Sequence, residues 1–323
     1  MRIGKITENA LKRSVLKQIR TEYKNIESAA VGSDCAFSYD KKTFSATFPL
    51  VADVSDAGYY AVVKVVNSLR SQGIIPDHVT LSVLLPVDAE EKELKKIVAD
   101  AIEGSRACSI IYAGGHTEVT SAVTRPVVTA NAVGYPGENP VFDCKPKAGD
   151  ALIVAGFVAL EGTAILAKEK KEELKKRYPV PFIEEAERFK ALLPINSEAA
   201  VAIKSGASSI HDVSSGGIFA ALWEMAERAG TGLSVDLKKI PIRQETIEVC
   251  EFLEANPYFL TSGGALLIAC DNEEKMISAL NEIGVNAAAI GFLQDGNDRV
   301  IVNGEEKRFL ELPQADEIHR ILL

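Results

Sequence analysis

The segment 211–217 places a carboxylate, two hydroxyls and two glycines directly before an apolar helical run at 218–226. It reads His211-Asp212-Val213-Ser214-Ser215-Gly216-Gly217. Backbone N–H groups at a helix N-terminus bind anions, and glycine lets the main chain approach a phosphate closely. An aspartate beside such a turn supplies an oxygen ligand for magnesium. An ordinary capped helix has the same pattern, because Asp and Ser are common N-caps.

A second glycine segment, 114–118, follows a buried strand predicted at 108–113. It reads Gly114-Gly115-His116-Thr117-Glu118. A turn after a buried strand is a usual place for a phosphate-binding loop. In it Glu118 would supply a metal ligand, and His116 would hydrogen-bond a phosphate, since neutral imidazole is a poor magnesium ligand. A glycine turn that carries a surface histidine is the alternative.

Composition describes an acidic globular protein. The chain has 323 residues, of which 47% are hydrophobic and 25% charged, so we expect two domains that each bury a core. A formal net charge of −9 argues against a nucleic-acid-binding or anionic-membrane-binding face. Neither a membrane-spanning stretch nor a secretory signal is recognisable, which predicts a cytoplasmic protein.

Five cysteines are spread along the chain without a Cys-x-x-Cys pair or a zinc-type histidine spacing. Four of them have apolar or strand-like surroundings, and we expect these four to be reduced core residues. Cys35 differs, because it adjoins Asp34 in a glycine-led loop.

Strand and helix signals alternate on both sides of a turn-rich segment at 135–140. In the first half we predict helices at 7–20, 55–72 and 88–104, and strands at 45–51, 78–85, 108–113 and 126–133. In the second half we predict strands at 151–155 and 265–270, helices that begin at 162, 197 and 273, and a closing pair of strands at 287–292 and 299–302, while residues 208–210 lead into the segment 211–217. Alternation of this kind predicts parallel βαβ units by default.

Five segments in order carry a family resemblance: 31–36, 114–120, 211–217, 240–246 and 261–269. The set resembles the aminoimidazole-ribonucleotide (AIR) synthase superfamily, which includes PurM-type synthases, thiamine-monophosphate kinase, selenophosphate synthetase and the hydrogenase maturation factor HypE. The HypE-like, AIR synthase-related branch is the most similar, from about residue 4 to about residue 293. The resemblance implies an α/β protein of two domains with mixed or antiparallel sheets, which replaces the parallel reading.

The implied PurM-like architecture has an N-terminal domain at 1–136, which pairs with a second copy to form a barrel-like sheet in a homodimer. A C-terminal α/β domain at 147–323 covers the nucleotide. Family members use ATP and Mg²⁺ to phosphorylate a small substrate or to dehydrate an amide-like group through a phosphorylated intermediate. This chemistry depends on positioning and on charge neutralisation by metal and backbone donors.

The resemblance also implies a set of site residues, although it assigns no catalytic residue and leaves the substrate unidentified. The implied metal ligands are Asp34, Glu118 and Asp212. The implied nucleotide-binding residues are Asp34, Asn67, Gly114, Gly115, His116, Thr117, Gly162, Thr163, Ser214, Gly216 and Gly217. A turn former at Asp34, a packing residue at Asn67 and helix capping near Gly162 are the structural alternatives.

The chain departs from the family pattern where acids are expected. Ser33 and Ser68 stand in place of two of them, and the strand around Phe48 lacks a third. Each lost carboxylate removes an oxygen ligand that magnesium prefers. The final residues, 317–323, contain no cysteine, so we do not expect HypE-type synthesis of a cyanide ligand. Two hypotheses remain open: an ATP-dependent enzyme, and a degenerate paralogue that acts as a dimeric binding or scaffold protein.

Overall fold

The computed structural model describes residues 3–23, 26–51, 54–142 and 144–322. A helical segment begins the chain and consists of α1 (Glu8–Leu11), a π-helical stretch (Lys12–Leu16) and α2 (Lys17–Glu22). It is followed by a five-stranded sheet and two helices. The strands are β1 (Ala36–Phe37), β2 (Phe44–Leu50), β3 (Ile74–Leu85), β4 (Ile111–Val119) and β5 (Val127–Pro136), and the helices are α3 (Ala57–Ser71) and α4 (Glu91–Ala107).

The first sheet has the order β1-β2-β5-β3-β4, and only its β3–β4 pair is parallel. Burial alternates along β3 and β5, as expected for strands with one face on a core. Helix α3 lies on the sheet and α4 packs on α3. The helices approach closely at Gly58, where an added Cβ would lie 2.1 Å from the carbonyl oxygen of Ile97.

The C-terminal half contains a seven-stranded sheet and eight helices in its described part. The strands are β6 (Ala151–Ala155), β7 (Ala207–Val213), β8 (Gly232–Asp236), β9 (Ala265–Cys270), β10 (Ala287–Gln294), β11 (Arg299–Asn303) and β12 (Glu306–Phe309). The helices are α5 (Leu160–Glu169), α6 (Lys171–Leu174), α7 (Val180–Arg188), α8 (Glu198–Ser205), α9 (Gly217–Ala229), α10 (Gln244–Phe252), α11 (Glu273–Glu282) and α12 (Glu317–Leu322). Short 3₁₀ turns occupy Phe189–Leu192 and Leu237–Lys239.

This second sheet, ordered β12-β11-β8-β10-β6-β9-β7, lies between two apolar layers. Alternate residues of β6 and β9 enter different core clusters, one shared with α9 and the other with α8 and α11. A strand that is buried on both faces reads as a continuous apolar run, which is why 151–155 and 265–270 were predictable. Because α9 packs on one face of this sheet, its first residues lie beside the end of β7.

Two topological predictions are wrong. Strands β10 and β11 do not pair with each other, because both pair with β8, the first antiparallel and the second parallel. The default prediction of parallel βαβ units is also wrong, since β3–β4 and β8–β11 are the only parallel strand pairs in the part of the chain that the structure describes. Alternation of strands and helices does not determine strand direction, and the mixed sheets that the family resemblance implied are confirmed.

Candidate functional site

A cleft of about 770 Å³ lies between the two halves, and we call it the central cleft. One wall comes from the N-terminal residues 5–11, another from the loop before β1 and from β2, and the floor from α3 and from the turn between β7 and α9. Among its lining residues are Asp34, Ser68, Asp212, Ser214 and Gly217. The structure therefore brings segments 31–36 and 211–217 to one site, although they are distant in sequence.

Both carboxylate oxygens of Asp34 are engaged by protein groups. Its Oδ1 lies 2.6 Å from Nδ1 of His211. Its Oδ2 accepts hydrogen bonds from Gln72 Nε2 at 2.7 Å, from Ser71 Oγ at 3.1 Å and from the Asp212 backbone amide at 3.2 Å. Asp34 thus ties the loop before β1 to the end of α3 and to β7, and a ligand at this carboxylate would have to share it.

His211 lies between two carboxylates inside the protein. Its Nε2 is 2.9 Å from Oε2 of Glu224, on the side opposite Asp34. Burial lowers the pKa of His211, but the ion pair with Asp34 and the hydrogen bond to Glu224 raise it to about 10. Burial likewise raises the pKa of Glu224, yet Lys5 and His211 bring it down to about 2. The group is therefore an imidazolium held by two anions at neutral pH.

Asp212 has a free carboxylate oxygen in the central cleft. The residue is 4% exposed, its Oδ2 accepts from Ser68 Oγ at 3.2 Å, and its Oδ1 has no hydrogen-bond partner in the described part of the chain. Burial, followed by the charge of Asp34, raises the pKa of Asp212 to about 7, although Lys64 and His211 lower it. A buried acceptor without a partner is costly, and a cation or a donor from a ligand would satisfy it.

The two glycines at the start of α9, Gly216 and Gly217, allow close packing, and their amides already have acceptors. An added Cβ on Gly217, where φ is +67°, would lie 2.5 Å from the carbonyl oxygen of Tyr258. The Gly216 amide donates to Asp316 Oδ2 at 2.7 Å, and the Gly217 amide donates to the Ser214 carbonyl at 3.1 Å. In this arrangement neither glycine amide is available to a phosphate without a local change.

Sequence reasoning missed Lys64, a buried lysine beneath the cleft. Its Nζ donates to Glu161 Oε2 at 2.7 Å and to the hydroxyls of Ser214 and Thr261, each at 3.0 Å. The ammonium also lies 4.9 Å from the centre of the Phe48 ring. Lys64 therefore links α3 of the first half to α5 and two turns of the second half. The available signal was a single charge within the valine-rich face of α3, which requires a partner when buried.

Three predicted nucleotide-binding residues lie in the packed interior rather than in the central cleft. Asn67 is fully buried, its Nδ2 donates to the Leu193 carbonyl at 2.8 Å, and its Oδ1 accepts from the Ile195 amide at 2.9 Å. Gly162 and Thr163 are buried in α5. Both amide atoms of Asn67 therefore have backbone partners, and a nucleotide contact at this residue stays a prediction.

Segment 114–118 is a strand and not a turn, so that local prediction is wrong. It belongs to β4, which pairs in parallel with β3 through a register shift. Glycine is required at Gly115, where φ is +151° and an added Cβ would lie 1.8 Å from the Leu81 carbonyl oxygen. His116 Nε2 and Glu118 Oε2 lie 3.3 Å apart, with both side chains exposed.

Strand β4 forms the edge of the first sheet, three strand spacings from β2. Adjacent strands are about 4.8 Å apart, which puts β4 about 14 Å from the side of the sheet that lines the central cleft. Within one chain, the predicted ligands Gly114, Gly115, His116, Thr117 and Glu118 are thus not among the residues that line the cleft. Their proposed role in binding remains a prediction that requires a second copy.

Comparison with known families identifies the lineage. The family model "AIR synthase related protein, N-terminal domain" matches residues 25–135, and the corresponding C-terminal domain model matches residues 147–303. The chain belongs to the AIR synthase-related family. A putative hydrogenase expression/formation protein of Methanocaldococcus jannaschii is 26% identical to it, over 98% of this chain and 97% of that protein. Carbamoyl dehydratase HypE of Escherichia coli is 25% identical, over 90% of this chain and 86% of that protein.

Solved structures of the AIR synthase-related fold superpose on nearly the whole chain. HypE in a HypE–HypF complex gives a TM-score of 0.74 at 20% identity, covering 93% of this chain and 100% of that one. A ThiL complexed with AMPPCP and TMP gives 0.73 at 20% identity, covering 95% and 96%. The two-domain PurM-like fold is confirmed.

The donor set of this AIR synthase-related chain fits a magnesium ion only in part. Within the residues that the structure describes, no group of three or more His, Cys, Asp or Glu side chains could hold a metal ion. Asp212 Oδ1 is a suitable hard oxygen ligand, whereas both oxygens of Asp34 are already engaged. Since magnesium takes about six oxygen ligands, a site here needs further oxygens from a bound ligand, water or another copy. No helix in the described ranges has the length and apolar character of a membrane span.

Proposed function

We propose that this protein binds ATP in the central cleft, with the phosphates beside Asp212. The observation that carries the proposal is the free, buried Oδ1 of Asp212 in a cleft between the two halves. The Ser214 hydroxyl lines the same cleft and accepts from Lys64 Nζ, so its own proton can be donated to a phosphate oxygen, whereas the Ser68 hydroxyl already donates to Asp212 and to the Lys64 carbonyl. Structural neighbours described as HypE in complex with ATP and ThiL complexed with AMPPCP support this ligand class.

Magnesium is the second component of the proposal. When bound with ATP it neutralises charge on the phosphates, which is its usual contribution to phosphoryl transfer. Asp212 would hold it from this chain. His211 does not act as a general base at neutral pH in this proposal, because its raised pKa keeps it protonated between two carboxylates.

The remaining ligands would come from a homodimer formed through β4. This strand presents an unpaired edge, and exposed apolar side chains flank it, with Ile111 68% exposed and Val119 60% exposed. Open strand edges of this kind are templates for pairing with another chain. A second copy would carry His116 and Glu118 towards the central cleft of the first, where Glu118 would provide a second carboxylate for the metal.

The reaction class in this proposal is ATP-dependent phosphorylation or dehydration of a small amide-like substrate. The similarity to proteins named carbamoyl dehydratase HypE and thiamine-monophosphate kinase supports phosphoryl-transfer chemistry of this class. Binding and orientation carry such reactions, so the chain needs no covalent nucleophile.

A second candidate function is a dimeric scaffold that does not use ATP. One observation favours it: the Asp34 carboxylate and the amides of Gly216 and Gly217 are already paired with protein groups. A protein that had lost nucleotide binding would retain such internal pairs because they stabilise the fold.

Thermal unfolding with and without Mg-ATP separates the two candidates. A ligand at about 100 times its Kd stabilises the folded state by about 2.7 kcal/mol, so the parent protein should melt at a higher temperature with Mg-ATP. The shift should be lost in Asp212→Asn and reduced by EDTA. Asp150→Asn is the matched control, since Asp150 is a buried aspartate that accepts from Ser208 Oγ and the Lys147 amide outside the cleft. A parent protein that shows no shift would support the scaffold.

A further inference from the structure

A second cavity, of about 990 Å³, adjoins the central cleft, and we call it the basic cavity. The two share Ala30, Val31 and Ser33 as lining residues, so this stretch of main chain forms a common wall. The other walls come from the N-terminal helical segment, the turn between β1 and β2, the end of α9 and the residues Phe142, Cys144 and Lys145. The nucleotide-binding proposal does not use this cavity.

The basic cavity has a charge opposite to that of the whole protein. Among the lining residues that the structure describes, six are basic, against the two carboxylates of Glu27 and Glu227. The basic residues are Lys12, Lys17, Arg20, Lys41, Lys145 and Arg228. In a chain whose formal net charge is −9, this is a local concentration of positive charge. A cavity lined by one sign of charge attracts ligands of the other sign.

Four of these cations have no ion pair with a carboxylate in the described part of the chain, namely Lys17, Arg20, Lys145 and Arg228. Arg20 Nε donates to the Ala29 carbonyl at 2.8 Å. Arg228 donates to the carbonyls of Phe142 and Cys144. These backbone contacts orient the two guanidinium groups without neutralising them, and like charges gathered in one cavity repel each other.

Apolar side chains complete the wall of the basic cavity. The rings of Phe37 and Phe142 have centroids 5.0 Å apart, and Leu16 and Ile26 also line the cavity. A cavity that combines unpaired guanidinium and ammonium groups with aromatic surface recognises a ligand with both an anionic and an apolar part.

We propose that the basic cavity binds a small organic anion in which a phosphate or carboxylate is joined to an aromatic or branched aliphatic group. The unpaired cations contact the anionic group, and the phenylalanine rings contact the apolar group. The cavity and the central cleft share a wall, but none of their charged lining residues is the same, so this ligand is distinct from the nucleotide. The site stands whether or not the cleft binds ATP.

Isothermal titration calorimetry with four probes tests the site in the full-length protein. Phenyl phosphate should bind at least about tenfold more tightly than inorganic phosphate or benzyl alcohol, since only phenyl phosphate uses both parts of the cavity. Comparing benzoate with phenyl phosphate then shows whether the cavity prefers a carboxylate or a phosphate as the anionic group. Equal affinity for phenyl phosphate and benzyl alcohol, or no binding of phenyl phosphate and benzoate, overturns the proposal.

Charge-neutralising variants locate the binding. Lys17→Gln combined with Lys145→Gln should weaken phenyl phosphate binding about tenfold, because two cations are lost from the cavity. Lys92→Gln combined with Lys95→Gln makes the same change in net charge on the exposed surface of α4, and it should leave the affinity unchanged. An equal loss in both double variants would mean that only the overall charge matters, and the site would be rejected.

Two further titrations test whether the basic cavity binds independently of the central cleft. In one, phenyl phosphate is titrated in the presence of saturating ATP, and in the other it is titrated into the variant Asp212→Asn. Phenyl phosphate should bind with unchanged affinity in both cases. If ATP displaced phenyl phosphate, the basic cavity would be part of the nucleotide site, and the proposal of a separate ligand would be overturned. Failure of ATP to bind would reject the proposed nucleotide function alone, since the phenyl phosphate titration of the parent protein does not depend on it.

Discussion

His211 and His116 each lie beside a carboxylate, but the first is inside the protein and the second is on its surface. The side chain of His211 is 8% exposed and contacts two carboxylates from different parts of the chain, Asp34 and Glu224. The side chain of His116 is 69% exposed, and its one ion-pair partner among the described residues is Glu118, two residues along the same strand. Both histidines belong to glycine-containing segments that the sequence analysis predicts as phosphate-binding.

The difference shows what burial does to the same pair of chemical groups. Away from water, each buried charge needs its partner, so His211 and Asp34 act together as a structural link between the loop before β1 and β7. At the surface, water and salt screen the attraction, and an exposed pair contributes about 0–1 kcal/mol. The His116–Glu118 pair therefore costs little to separate and is available to another partner.

Among the variants considered, we expect the largest loss of stability when the buried ion pair between Lys64 and Glu161 is broken, because both side chains are at most 5% exposed. Lys64→Met should reduce the free energy of unfolding by about 3–5 kcal/mol, since it leaves the Glu161 carboxylate buried without its counter-charge. Urea unfolding followed by circular dichroism measures the effect.

Two variants control this result. Lys95→Met removes an exposed lysine that pairs with Glu91, and it should change stability by less than about 0.5 kcal/mol. Lys64→Met with Glu161→Gln removes both charges and should recover part of the loss. If Lys64→Met were as mild as Lys95→Met, the link between the two halves would not depend on this pair.

For His211→Gln we expect a smaller decrease in the free energy of unfolding than for Lys64→Met, and we expect this decrease to depend on pH. The pKa of His211 is raised from 6.5 to about 10 in the folded protein, so its charged form stabilises the fold. This stabilisation is fully present below pH 6.5 and is lost as the pH rises through 10. His211→Gln should therefore lower the free energy of unfolding by about 1.5–3 kcal/mol at pH 6 and by progressively less towards pH 10, as measured by urea unfolding across that range.

The matched control for this titration is His116→Gln, which removes the exposed histidine. It should show little change in stability at any pH between 6 and 10, because the exposed pair is screened. A pH-independent loss in His211→Gln would indicate that packing, and not the imidazolium charge, accounts for its contribution.

The same contrast explains which features were predictable from sequence. Strands such as β6 and β9 are buried on both faces, and their uninterrupted apolar runs gave the correct bounds. The ordered family motifs also gave the mixed two-domain fold. The pairing of β10 and β11 with β8 was not predictable, because strand direction and order depend on contacts between distant segments.

Within the site, sequence spacing identified residues but not their partners. Asp34 and Asp212 reach one cleft as expected, yet Asp34 has both oxygens engaged, whereas Asp212 retains a free one. Lys64 was overlooked, since a lysine on an apolar helix usually extends to solvent. Gly115 looked like part of a phosphate-binding turn, but its positive φ serves the close approach of β4 to β3.

The smallest expected change in stability belongs to Glu118→Gln, and it tests the function of the exposed pair. The free energy of unfolding should change by less than about 0.5 kcal/mol, as in the surface control Glu91→Gln. If a second copy presents Glu118 to the metal, however, Glu118→Gln should lower the thermal shift produced by Mg-ATP while Glu91→Gln leaves it unchanged. A dimer confirmed by light scattering that keeps its full Mg-ATP response in Glu118→Gln would exclude Glu118 as a ligand. The exposed pair would then be a surface feature without a role in binding, and Asp212 alone would remain as the protein's carboxylate for the metal.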